Sequence, residues 1–159
     1  MPSSSKRSPH VSGVVVIGAG NLYRSDDGAG IAIVRALSGR VPSHVRVLER
    51  DGEAASMIEA WRACDLAVIV DAVRGPEEAG HIYRFDVLEE ALPVELFQYS
   101  THTFGIGPAV ELARVLDRLP NRLIVYGIEG RDFTTGTALS PEVKSAVTQA
   151  ANRILDEIH

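Results

Sequence analysis

The chain has 159 residues, 45% of them hydrophobic and 23% charged, with 16 Lys and Arg against 21 Asp and Glu for a formal net charge of −5. A chain of this length forms one domain that buries roughly 70% of its unfolded surface, which excludes wholesale disorder and removes any need for covalent staples. The acidic balance argues against nucleic acid or an anionic membrane as the main partner, and the single cysteine, Cys64, excludes an intrachain disulfide and a cysteine-rich zinc site.

Residues 1–12, with Ser3-Ser4-Ser5-Lys6-Arg7, read as a flexible solvated tail ahead of a single domain over residues 13–159. Val14-Val15-Val16-Ile17 is β-branched and uniformly apolar, the pattern of a central strand buried on both faces. It is far too short for a spanning helix or a signal segment, so a cytoplasmic protein without membrane insertion is expected. The loop Gly18-Ala19-Gly20-Asn21-Leu22-Tyr23-Arg24-Ser25-Asp26-Asp27-Gly28-Ala29-Gly30 follows. It opens a helix whose stripe is Ile31, Ile33, Val34, Ala36 and Leu37, ended near Ser38-Gly39 and Pro42. Val45-Arg46-Val47-Leu48 is a second strand, and Met57, Ile58 and Trp61 mark a helix running to about Ala63.

Leu66-Ala67-Val68-Ile69-Val70 is a third strand ending at Asp71, and His81 to Phe85 suits a less buried edge strand whose short connection is compatible with an antiparallel hairpin and too short for a helical crossover. Between Asp86 and Gln98 a helical turn is expected before Pro93. From Thr103, the spacing Ile106, Ala109, Val110, Ala113, Leu116 builds a third helix. Leu123 to Tyr126 is the last buried strand, with Gly127-Ile128-Glu129-Gly130 a turn at its end. Ser140-Pro141-Glu142 starts the closing helix, with the serine hydroxyl expected to cap it.

Alternating strands and helices predict an α/β fold: a three-layer α/β/α sandwich of phosphorylase/hydrolase-like type, with a five-stranded, mostly parallel, twisted sheet and one antiparallel strand. The first and third strands should be neighbours, with connections leaving to opposite faces and a crevice at their carboxyl ends. The glycine loop, Asp71 and the residues around His102 converge there. Two carboxylates, Asp27 and Asp71, with the His102 imidazole form a donor set suited to zinc, nickel or iron with coordination positions left over. The separations in sequence match no compact metal motif, so the fold argument carries most of this reading. Asp26 reads as a helix cap, Cys64 as a small buried residue, and His10, His44, His81 and His159 as plain surface. The adjacent acids Asp26 and Asp27 speak against a phosphate in the loop, and Tyr23 occupies the third glycine position of a dinucleotide fingerprint. No Gly-x-Ser-x-Gly elbow is present.

Val16-Ile17-Gly18-Ala19-Gly20-Asn21, Asp26-Asp27-Gly28-Ala29-Gly30, Asp71-Ala72, Ser100-Thr101-His102, and Gly127-Ile128-Glu129 with Leu139-Ser140-Pro141-Glu142-Val143 together resemble the [NiFe]-hydrogenase maturation endopeptidases, over about residues 13 to 158. The resemblance implies a cytoplasmic endopeptidase that removes the C-terminal extension of the hydrogenase large-subunit precursor once nickel has been installed. By motif, Asp27, Asp71 and His102 correspond to that family's three metal-contacting residues, with the nickel supplied by the precursor and a resident divalent metal left open. Gly20 and Asn21 are assigned to turn stiffening or contact with the substrate backbone. Two departures stand out: Asp51-Gly52-Glu53 lacks the second small residue often found after that aspartate, and Gly130 replaces a common proline. In the favoured mechanism the metal polarises the scissile carbonyl or generates hydroxide while an aspartate manages protons. A rival has Asp27 and Asp71 share one proton as an acid/base pair, which leaves His102 without a role. A non-catalytic nickel-binding chaperone using the same ligands, and a nucleotide-binding Rossmann-type protein, are the alternatives from other classes.

Overall fold

The computed structural model describes residues 13–97 and 105–159. Strands β1 (Val14–Ala19), β2 (Val45–Arg50), β3 (Leu66–Val73), β4 (Ile82–Asp86) and β5 (Arg122–Glu129) form one sheet in the order β2-β1-β3-β5-β4. The pairings β1–β2, β1–β3 and β3–β5 are parallel, and β4 lies antiparallel on the outer edge of β5. Helices α1 (Ala29–Leu37) and α4 (Pro141–Ile158) cover one face, and α2 (Ala54–Trp61) and α3 (Ile106–Leu116) cover the other. This is the three-layer arrangement expected, with β1 and β3 adjacent. Among the described residues no helix is long and apolar enough to cross a membrane.

The apolar run of β1 serves two cores at once. Val14 and Val16 join the α1/α4 core, while Val15 and Ile17 join the α2/α3 core. In β3 the same alternation sends Val68, Val70 and Ala72 one way and Ala67, Ile69 and Val73 the other. Asp71 is therefore a residue of the α2/α3 face, at the carboxyl end of the central strands.

Several boundaries differ from expectation. Strand β3 does not end at Asp71, and Gly127-Ile128-Glu129 is not a turn: the register Asp71↔Gly127, Ala72↔Ile128, Val73↔Glu129 extends both strands together. Backbone pairing continues there after the plain apolar pattern stops. Helix α2 stops at Trp61 because Ala63 turns left-handed, at φ 61°. A turn precedes Pro93 as expected, the Glu89 and Glu90 N–H groups both donating to the Asp86 carbonyl at 3.0 Å, and a second, 3-10 turn follows it over Val94–Leu96, with the Leu96 N–H donating to the Pro93 carbonyl at 3.3 Å. A proline cannot donate, so it opens a turn more readily than it closes one. Helix α3 begins at Ile106; Thr103, its expected start, lies outside the described residues, as does the 1–12 tail.

Candidate functional site

The glycine loop is built by backbone packing against backbone. A Cβ on Gly30 would stand 2.3 Å from the Val70 carbonyl oxygen and 2.6 Å from that of Ala19, and one on Gly18 would meet the Gly30 carbonyl oxygen at 2.4 Å. These two glycines seat the first turn of α1 directly on β1 and β3. Gly20, at φ 138°, donates its N–H to the Arg50 carbonyl at 3.1 Å. Its missing side chain matters more: a Cβ there would be 2.1 Å from the Asp27 carbonyl oxygen and 3.7 Å from Asp71 Oδ1. Gly20 thus sits against both candidate carboxylate residues. The Asn21 N–H donates to Asp27 Oδ2 at 3.0 Å and to the Asp27 carbonyl at 3.3 Å, and Asn21 Oδ1 accepts from the Tyr23 N–H at 2.8 Å. Asn21 stiffens the turn and orients the half-buried Asp27 side chain.

Asp71 is 5% exposed, and its Oδ1 accepts from the Ala72 N–H at 2.8 Å. Burial first, and the neighbouring Asp27 charge second, push its carboxyl well above the usual carboxylate range, against the opposing pull of the Ala72 N–H. The pair is short of positive charge, which a cation or a retained proton supplies. His102, the third predicted ligand, lies outside the described residues. Of those that bracket it, the Phe97 ring reaches within 3.5 Å of the Cβ position of Gly127, and Gly105 donates its N–H to the Gly52 carbonyl at 2.8 Å. Among the described residues no three His, Cys, Asp or Glu side chains are grouped to hold a metal. The structure brings Gly20, Asn21, Asp27 and Asp71 together and leaves His102 undescribed.

Asp26 does not cap α1. It is fully buried and accepts four bonds from the chain after β5: the N–H groups of Arg131, Asp132 and Ser140 at 2.8, 2.9 and 2.7 Å, and the Ser140 hydroxyl at 2.7 Å. Burial raises its carboxyl, and these bonds outweigh burial and leave it below the usual range. The Ser140 hydroxyl is thereby taken from the capping role expected of it, and α4 starts without a side-chain cap. Ser25, strained at φ 54°, donates its hydroxyl to the Thr134 carbonyl at 2.8 Å, and Arg24 pairs with Gly136 as an isolated bridge. The whole 131–140 loop is stitched to residues 23–26.

Glu129 is the buried acid whose structural part the sequence reading did not define. It is 2% exposed and accepts from the Gly75 N–H and the Tyr83 hydroxyl, both at 2.6 Å, which fixes the β3–β4 connection beside Asp71. An acid closing the apolar run Leu123–Ile128 is the signal that marks it. The two departures from the family pattern also acquire reasons. Glu53 caps α2, accepting from the Ser56 N–H at 2.9 Å and the Ala55 N–H at 3.3 Å. At Gly130 a Cβ would stand 2.6 Å from Phe133 Cζ, and its N–H donates to the Val73 carbonyl at 2.9 Å, a bond proline cannot make. Cys64 is buried beside Arg46, and His44, His81 and His159 are exposed, away from the site; His10 lies outside the described residues.

Comparison with known proteins agrees with this architecture. The family model HycI, hydrogenase maturation protease, matches residues 31–157. A putative hydrogenase maturation protease of Methanocaldococcus jannaschii is 30% identical over 154 residues, covering 91% of this chain and 96% of the relative. HupD, a hydrogenase expression/formation protein of Thiocapsa roseopersicina, is 27% identical over 146 residues, and the match spans 90% of this chain but 66% of HupD. The solved structure of the hydrogenase maturating endopeptidase HybD from E. coli shares the fold with a TM-score of 0.76 at 20% identity, covering 91% of this chain and 90% of that one. The chain belongs to the hydrogenase maturation protease family.

Proposed function

We propose that this chain is an endopeptidase that removes the C-terminal extension of a [NiFe]-hydrogenase large-subunit precursor after nickel insertion, engaging the precursor's nickel through Asp27, Asp71 and His102. The observation that carries the reading is the Asp27–Asp71 pair: two carboxylates closed over Gly20, one of them buried and disfavoured as an anion by the other. A divalent cation delivered by the substrate relieves that repulsion, so the site favours the nickel-loaded precursor over the empty one. The nickel, as a Lewis acid, supplies polarisation of the scissile carbonyl. Asp27 or Asp71 takes a proton from the attacking water and returns it to the leaving amine. Asn21 holds Asp27 in place through its N–H. The lone buried thiol of Cys64 fits a cytoplasmic site of action.

Purified protein incubated with nickel-loaded and nickel-free precursor tests this reading, with the product weighed by mass spectrometry. Loss of a C-terminal peptide only from the nickel-loaded form is expected. Asp27→Asn and His102→Ala should each abolish processing. Nickel binding without any loss of peptide would overturn the reading in favour of a non-catalytic chaperone, and normal cutting by both variants would overturn the site.

The raised carboxyl of Asp71 beside Asp27 also favours one second reading, in which the two aspartates share a proton and act as an acid/base pair. That version predicts cutting of nickel-free precursor and full activity in His102→Ala, so the same experiment separates the two.

A further inference from the structure

The turn between Asn21 and Asp27 sends one apolar side chain inward and the next one out. Leu22 packs into the fold, its Cα and Cδ2 standing 3.1 and 3.2 Å from the Cβ position of Gly28. Tyr23 faces solvent, 69% exposed, and among the described residues it is the one Phe, Tyr or Trp that is neither buried nor half-buried. Trp61 and Phe97 belong to the α2/α3 core, Tyr126 and Phe133 to the α1/α4 core, and Tyr83 and Phe85 stack on each other along β4. Exposure alone is ordinary for a tyrosine. The setting of this ring is not.

Its backbone is fixed on both sides while its side chain is left to solvent. The Tyr23 N–H donates to Asn21 Oδ1 at 2.8 Å, and the Tyr23 carbonyl accepts from the Gly136 N–H at 2.9 Å. The same Asn21 donates its own N–H to Asp27 Oδ2 at 3.0 Å, so two hydrogen bonds through one residue join the Tyr23 backbone to the Asp27 carboxylate. The Asp27 N–H donates to the Arg24 carbonyl at 3.1 Å and closes the turn. Among the described residues no hydrogen bond or ring stacking holds the Tyr23 side chain. Its phenol acts electrostatically on Arg35, whose guanidinium Glu49 already holds in two bonds of 2.8 and 3.0 Å. That ion pair is closed, and the ring presents its apolar body outward.

An aromatic side chain on a fixed backbone offers large contact area for the loss of only two side-chain rotations, which is why tyrosine is enriched among the residues that dominate protein interfaces. Because the ring and Asp27 ride on one turn, a ligand taken by the Asp27 carboxylate brings its own surroundings against Tyr23. On the reading above that ligand is the precursor's nickel, and its surroundings are the folded body that carries the metal.

We propose that Tyr23 is a specificity-determining contact of the maturation reaction, its ring packing on an apolar side chain of the precursor's metal-bearing body. This rests on the maturation-protease reading above. Asp27 supplies the contact to the metal, and Tyr23 supplies the apolar area that distinguishes one nickel-bearing surface from another.

The first test is kinetic, on nickel-loaded precursor. Tyr23→Ala should raise KM about tenfold with kcat changed less than about twofold, as expected for loss of apolar area used equally in the ground and transition states. Tyr23→Phe should keep the wild-type KM, and Tyr23→Leu should stay within about threefold of it, since an aliphatic side chain restores most of the apolar area. Urea unfolding of Tyr23→Ala should match wild type, because the ring has no partner within the fold. Wild-type KM in Tyr23→Ala overturns the contact. A fall in kcat at unchanged KM also overturns it, since the ring then only steadies Asp27. Tyr23→Leu as poor as Tyr23→Ala overturns the apolar partner in favour of a cation over the ring.

The second test reads the ring directly. Full-length protein carrying Asp71→Asn, which leaves the precursor uncut, is labelled with 3-fluorotyrosine, and the Tyr23 ¹⁹F signal is identified by its absence in Tyr23→Phe. A soluble gadolinium chelate relaxes exposed rings. Unlabelled nickel-loaded precursor should protect the Tyr23 signal from the chelate and leave that of the buried Tyr126 unchanged, with complex formation followed by diffusion in the same sample. A complex in which Tyr23 stays as accessible as in the free protein overturns the contact. Failure of the wild-type protein to cut at all overturns the protease reading instead, and the ring measurement then decides the contact by itself; absence of both cutting and complex overturns both.

Discussion

Ser140 donates both its backbone N–H and its hydroxyl to the Asp26 carboxylate, each at 2.7 Å, across 114 residues of chain. With the N–H groups of Arg131 and Asp132 on the same carboxylate, this is the joint that holds the loop after β5 against the loop after β1. Asp26→Ala leaves three partly buried N–H groups and the Ser140 hydroxyl without their acceptor and should cost about 2–4 kcal/mol in urea unfolding. Ser140→Ala removes one of the four donors and should cost about 1 kcal/mol. Equal small losses in both variants would show the joint to be idle.

The same joint sets an acid limit. The folded-state carboxyl of Asp26 is lowered, so its stabilisation is present above the unfolded value, near 4, and is lost as pH falls through the folded one. Wild-type protein should lose stability below about pH 4 more steeply than Asp26→Asn, which has no charge there to lose. Urea midpoints measured from pH 6 down to pH 3 check the sign, and parallel curves would contradict it.

Asp71 has the opposite sign. Its folded-state carboxyl is raised by burial and by Asp27, so the stability it contributes is complete below the unfolded value and is lost as pH rises through the folded one. In chelator-treated protein Asp71→Asn should therefore gain stability relative to wild type as pH rises above about 4, the unfolded-state value. It should also be inactive. A difference between the two proteins that stays constant with pH would show that Asp71 is an ordinary solvated acid.

The parts of this molecule readable from sequence are those whose cause is local. The β-branched run Val14–Ile17, the spacing of Ile106, Ala109, Val110 and Ala113, and the turn residues between them announce strands, helices and their alternation, and handedness then fixes β1 beside β3. Asp27 and Asp71 were legible as neighbours because both lie where those two strands end. Asp26 and Ser140 were not, since each carries a correct local capping signal and each is claimed by the other from a distant part of the chain. The extension of β3 past Asp71 was hidden for a related reason: Gly127 reads as a turn residue, yet here it leaves room for Val73, whose Cγ1 would lie 3.1 Å from a Cβ at that position.

Gly30 provides a steric test of how the site is seated. Alanine there would put Cβ 2.3 Å from the Val70 carbonyl oxygen and 2.6 Å from that of Ala19, both backbone atoms of central strands that cannot move aside cheaply. Gly30→Ala should cost about 2–4 kcal/mol and lift α1 with the Asp27 turn. Helix propensity alone would favour alanine at this position by about 1 kcal/mol, so even a neutral result would contradict the packing account.

Gly130 makes room for the ring on which Arg74 rests. Its absent side chain makes room for the Phe133 ring, whose Cζ and Cε2 would lie 2.6 and 2.9 Å from a Cβ, and its N–H holds the Val73 carbonyl one residue before Arg74. Gly130→Ala forces the ring outward and should cost about 1–3 kcal/mol. Gly130→Pro adds the loss of the bond to Val73 and should cost about 1 kcal/mol more. The ring movement carries a second, separable consequence, because Arg74 rests on that ring. The Arg74 Nε–H resonance should shift in Gly130→Ala, while the buried amide of Val16 in β1 should not. An unchanged Arg74 signal would mean that Phe133 does not position this guanidinium, whatever the loss of stability.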